Sequence, residues 1–164
     1  MFSRMILLSA AAVLLALSSG CSNHPASDSV KAFSMALADS SWSRAWDLLT
    51  PSTRAAWDST ATVMRRFGYT ESSRYLSTLE TPVTQAEFDS LTGEMLFLRM
   101  MESNPGVREL SGSVRGVELR DSLTALVTVA TVDGSQIIPV RLIQDRWLID
   151  LTTLSPPAVP EEEQ

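Results

Sequence analysis

The sequence predicts an α+β fold, with N-terminal helices packed on one face of a curved antiparallel sheet. Three observations carry this. Apolar residues recur at helical spacing through the first half of the chain, apolar and polar residues alternate through the second half, and Asn104-Pro105-Gly106 stops the helical pattern between them.

The first helix carries Val30, Phe33 and Leu37, with Asp28 or Ser29 as its cap. Asp39-Ser40-Ser41 breaks it and opens a turn-rich stretch with Trp42, Trp46 and Leu49 on one side, closed by Thr50-Pro51. Ser52 to Phe67 forms the next helix, with Pro51 near its start, Trp57 and Met64 turned inward, and Gly68 at its end. Tyr69 to Thr84 has no clear period. From Thr84, a capping residue with Glu87 three places on, the pattern predicts one helix over 85–103, carrying Phe88, Leu91, Met95 and Leu98.

The strands follow. One covers about Ser113 to Leu119, where a bulge near Gly116 keeps Val114 and Val117 both inward. Leu123–Val132 and Ile137–Ile143 form a hairpin about Asp133-Gly134, which pairs Val129 with Ile138, Val127 with Val140 and Ala125 with Leu142. A tight turn at Gln144-Asp145 pairs Leu142 with Trp147. Read separately, the two turns put Val127, Val129, Ile138, Val140, Leu142, Trp147, Ile149 and Leu151 on one face, with Thr124, Leu126, Thr128, Arg141, Leu148 and Asp150 on the other. Pro139 has no N–H for a ladder, so a bulge or a local end of pairing is expected there.

The ends of the chain have a different character. Arg4 precedes an apolar run, Met5 to Leu17, interrupted only by Ser9, and Ser18, Ser19 and Gly20 follow it. That is the layout of a secretory signal, and the run falls short of the roughly 20 apolar residues that span a bilayer. The expected organisation is a signal peptide over 1–20, a polar tether over 21–27, one domain over 28–154 and a solvated, disordered acidic tail over 155–164.

Without residues 1–20 the chain has 144 residues, and loss of Arg4 moves its formal charge from −6 to −7. This disfavours nucleic acid and anionic surfaces as partners. The single cysteine, Cys21, has no second cysteine in the chain to pair with, and the single histidine, His24, stands in the expected tether. A metal cluster or a nucleophilic triad lacks its components, and the seven glycines are too scattered for a phosphate loop, so no metal and no cofactor is expected.

The residues Ser18-Ser19-Gly20-Cys21 resemble the lipobox of bacterial lipoproteins. The resemblance implies cleavage between Gly20 and Cys21 and lipid attachment at Cys21, with acyl chains that hold the protein to a membrane. Ser22, in the next place, resembles proteins sent to the outer membrane of diderm bacteria, facing the periplasm. VKAFSMALADSSWSRAWDLLTP and the closing strand DRWLIDL are similar to small bacterial lipoproteins of the nuclear transport factor 2-like, cystatin-like class. That similarity implies a cone-shaped half-barrel with a pocket between helices and sheet.

Such folds host enzymes and binding modules alike. Trp46, Tyr69, Tyr75 and Trp147 are the candidates to line a ligand pocket, and Asp150 is the candidate acid or base, set against a surface ion pair with Arg141. No catalytic set emerges. The reading is a lipid-anchored envelope domain that binds a protein partner or an apolar small molecule. The alternatives are an isomerase-type acid/base enzyme using Asp150 or a Tyr, and a structural partner in envelope assembly acting through Leu126 and Leu148.

Overall fold

The computed structural model describes residues 24–103, 113–131 and 134–153. Gly20, Cys21, the Asn104-Pro105-Gly106 stop and the acidic tail lie outside the described residues. Among the described residues six helices precede a four-stranded antiparallel sheet of strand order β1-β2-β3-β4, so the fold is α+β with an open, curved sheet.

Helix α1 (Pro25–Ala38) starts earlier than the sequence pattern suggests, because Pro25 has the fixed φ that suits a first helical position and His24 caps it. His24 Nδ1 accepts from Ala26 N–H at 3.1 Å, and the ring packs edge-on against Trp147 at 5.4 Å. Ala26 and Ser27 are fully buried. Residues 25–27 therefore belong to the domain rather than to a tether. Ala26, Val30, Phe33 and Leu37 form the stripe that faces the sheet, and Ser40 (φ 54) turns the chain into α2 (Trp42–Asp47).

The short segment after α2 joins the sheet. Ile149 N–H donates to Leu48 O at 2.8 Å and Thr50 N–H donates to Ile149 O at 2.9 Å, a parallel bridge along the outer edge of β4. Thr50 then caps α3 (Pro51–Phe67) through its hydroxyl, and Gly68, at φ 85, ends that helix as the sequence predicts. Helix α4 (Tyr69–Thr78) follows at once, in the stretch whose period was unclear. Its mainly polar sequence buries only Ser72 and Leu76, and the Ser72 hydroxyl ties it to Met64 O at 2.8 Å.

The single helix expected over 85–103 is two helices, α5 (Gln85–Asp89) and α6 (Gly93–Ser103). The Thr84–Glu87 capping box forms at the start of α5. The break comes from a second start signal: Thr92 Oγ1 accepts from Met95 N–H at 3.2 Å, while Asp58 of α3 accepts from Gly93 N–H at 3.0 Å. Helix α6 then lies between two cores. Phe97 joins α1, α2 and the inner sheet face, whereas Leu96 packs with Ala61, Met64, Leu76, Phe88 and Leu91 in a core between helices.

In the sheet, β1 (Val114–Leu119) pairs with β2 (Thr124–Thr131), and the register shift between Val114 and Gly116 is the expected bulge, which leaves both Val114 and Val117 against the core. Between β2 and β3 (Gly134–Ile143) the pairs are Val129 with Gln136, Val127 with Ile138 and Ala125 with Val140, two places from the expected register. Gly134, at φ 136, pairs with Thr131 inside the ladder instead of standing in the turn. A shift of two keeps every side chain on its expected face. Gln144 and Asp145, both at positive φ, make the tight turn into β4 (Arg146–Ile149) and pair Leu142 with Trp147, as expected.

Pro139 sits in an unbroken β2–β3 register. Its carbonyl accepts from Asp150 N–H at 2.9 Å, but the β3–β4 ladder ends one pair earlier, at Val140 with Ile149. The missing donor thus falls where β4 stops, which is the local end of pairing expected for proline.

Candidate functional site

The space between the helices and the inner sheet face is filled by Leu37, Phe97, Val127, Val129 and Val140, each fully buried. Two of the four aromatic candidates are used in structure. Trp46 is 8% exposed, packs on Phe97 at 5.5 Å and lies under the Arg54 guanidinium. Tyr69 donates to Val83 O at 3.3 Å and meets Phe88 edge-on, which fixes the 81–84 segment. Trp147 is partly exposed beside His24, and its carbonyl accepts from the Ser29 hydroxyl at 2.6 Å. Tyr75 stands apart from these on α4. The four do not converge on one pocket.

Asp150 is buried, at 2% exposure, so it is not a surface carboxylate. Its register does place it on the outer face, and Arg141 Nε lies 3.5 Å from Oδ2, but the chain wraps over it. The turn Leu151–Thr153 returns Thr152 N–H and hydroxyl to Oδ1 at 3.1 and 2.5 Å, and Thr53 of α3 closes the other side. Thr53 Oγ1 in turn accepts from Leu151 N–H at 3.0 Å and lies 2.9 Å from Thr50 Oγ1. Asp150 thus joins the end of the sheet to the start of α3. The outer face is also less open than expected, since Leu148 is only 7% exposed and shares a hollow with Pro51, Arg54 and Ala55.

Exposed apolar surface is concentrated elsewhere, along α3 and α4. Val63, Phe67 and Tyr75 are 46%, 71% and 55% exposed, and Leu79 continues the row. They border a groove in two lobes that share Thr60, Met64 and Tyr75. One lobe, about 410 Å³, reaches Phe67 and Glu71, and the other, about 310 Å³, reaches Trp57, Met100, Leu151 and Thr152. Large exposed apolar side chains set together, rather than scattered, mark an interaction surface.

Val63 and Phe67 lie outside the residues that the sequence puts forward for a site, although it carries a signal for them. Ala56, Thr60, Val63 and Phe67 recur at steps of four, three and four, a second stripe on α3 beside the Trp57 and Met64 stripe that faces the core. A helix with two such stripes has more apolar surface than one neighbour can cover.

Two carboxylates are held below their ordinary range, and both stand at surface turns away from the groove. Glu87 is lowered mainly by the Thr84 N–H and hydroxyl, with Arg99 adding to this, and Asp121 mainly by the Leu123 N–H. Among the described residues no three of His, Cys, Asp and Glu lie close enough together to hold a metal ion. In comparisons with protein-family models, curated proteins and solved structures, nothing matches this chain.

Proposed function

We propose that this chain is a lipid-anchored envelope protein, attached through Cys21, whose domain binds an apolar group in the α3–α4 groove without catalysing a reaction. The apolar group is either a small molecule or a side-chain cluster of a partner protein; the groove chemistry is the same for both. The fold inferred is of the nuclear transport factor 2-like, cystatin-like class, supported by the order of helices followed by a meander. Attachment to the outer membrane, facing the periplasm, follows from the lipobox and Ser22 where the host has two membranes.

One observation carries the binding reading: a two-lobed groove bordered by Val63, Phe67, Tyr75 and Leu79, all exposed, on a surface whose other helix faces are mostly polar. Burying a phenylalanine-sized side chain contributes about 2 kcal/mol, so ligand contact with two or three of these residues contributes about 4 to 6 kcal/mol, which corresponds to binding between about millimolar and tens of micromolar. The anchor is independent of the groove. With Cys21 lipidated and α1 starting at Pro25, the folded domain would begin within about 15 Å of the membrane.

The test uses the neutral dye Nile red as an apolar probe of the intact chain. Saturable binding is expected, weakened about tenfold or more by Phe67→Glu and left unchanged by Ile137→Glu, an exposed control position on the sheet. Equal affinity in wild type and Phe67→Glu would remove the groove reading.

A further inference from the structure

The groove has an end that the chain itself supplies. Leu151 and Thr152 form part of its wall, and the chain continues from Thr153 directly beside that end. The next residues are Leu154-Ser155-Pro156-Pro157-Ala158-Val159-Pro160, followed by Glu161-Glu162-Glu163. We propose that this segment docks along the α3–α4 groove of its own chain and competes with the apolar ligand.

Length, chemistry and charge agree on this occupant. From Thr53 to Phe67 the helix rises about 21 Å at 1.5 Å per residue. Seven residues from Leu154, with three prolines among them, span about 22 Å in the extended left-handed form that prolines favour. The apolar part thus reaches from the exit point to Phe67 with little to spare. Its prolines bind aromatic-lined grooves at low ordering cost, and Trp57, Tyr75 and Phe67 are spaced along this one. Glu161 to Glu163 then arrive at the last turn of α3, where Arg65 and Arg66 are exposed. Glu71 on the groove wall is answered by Arg74 at 2.7 Å, so that end of the groove keeps an excess of positive charge.

A tethered segment meets its site at an effective concentration of about a millimolar, so even a weak contact is populated. If four in five molecules hold the tail in place, the apparent affinity for an outside ligand falls about fivefold. The inference rests on the groove being the binding surface proposed above, and the experiment separates the two.

Nile red is titrated into the intact wild-type chain and into the Glu161→Lys/Glu162→Lys/Glu163→Lys variant. About fivefold tighter binding is expected in the variant. The same gain is expected in Arg65→Glu/Arg66→Glu, with return towards the wild-type value when both sets are combined. In parallel, Val159→Cys in a Cys21→Ser background carries a nitroxide. Broadening of the Val63 and Phe67 resonances, lost in the triple-lysine variant, supports docking. Broadening confined to residues near Thr153 overturns it, whatever the dye does. Dye binding that is equal in wild type and triple-lysine variant also overturns the tail inference while leaving the groove reading intact. Failure of the dye to bind either form removes the groove reading, and the nitroxide then decides the tail alone.

Discussion

Gly93 shows how one residue decides a local structure that periodicity misreads. A Cβ at this position would lie 2.4 Å from Asp58 N and 2.7 Å from the Trp57 carbonyl carbon. These are backbone atoms of α3 and cannot move aside. Gly93→Ala is therefore expected to cost about 2 kcal/mol, read as a lower urea midpoint with an unchanged slope. A variant as stable as wild type would mean that α3 and α6 are not held this closely. The glycine was visible in the sequence, but its reason lay 35 residues away in Asp58, beyond any local pattern. Asp150 teaches the same lesson. Its face was readable from strand alternation, whereas its burial depends on Thr53 and on the turn that follows it.

Elements were legible where a period or a turn signal spoke strongly. The β3–β4 pairing, the bulge between Val114 and Gly116, the Gly68 stop and the Thr84 cap all follow from local chemistry, whereas the β2–β3 register lies two places from the one the Asp133-Gly134 signal implies. Helix α4 was hidden because a helix that buries two side chains leaves almost no periodic trace. Helix α5, only five residues long, is held at its start, where Glu87 accepts from Thr84 N–H at 2.9 Å and pairs with Arg99 of α6. A carboxylate whose folded pKa is depressed stabilises the fold above its unfolded value. That contribution is lost as the pH falls through the lower, folded value. The ordinary glutamate value here is 4.5. Wild type is thus expected to melt above Glu87→Gln at neutral pH, with the gap closing as the pH drops below that value. A gap that persists undiminished in strong acid would mean that the charge on Glu87 contributes nothing.

At the scale of the whole molecule, α6 joins a sheet-facing core to a core between helices, and the groove lies on the outer side of the second. The pocket implied by family resemblance was expected between helices and sheet, where large apolar side chains leave the interior filled. The candidate surface is legible in the sequence only in part: Tyr75 is a candidate there, whereas the second stripe on α3 stands out only once the helix is seen to have a free face. Membrane attachment belongs to this scale as well. On the proposed anchoring, labelled fatty acid should appear on the wild-type chain and vanish from Cys21→Ser, while the far-ultraviolet spectrum stays the same. An unlabelled wild type would sink the anchor and leave the groove untouched.

The bridge from Leu48 to Thr50 along β4 has a bearing on how the protein behaves when crowded. A sheet edge with free N–H and C=O groups recruits other strands, and crowding raises the frequency of such encounters. Among the described residues that bridge occupies the β4 side, leaving β1 as the exposed edge. There the bulge distorts the ladder, and Arg115, Glu118 and Arg120 set charge along the rim. Strand addition is thereby opposed by covering at Ile149 on one edge and by distortion and charge at the other.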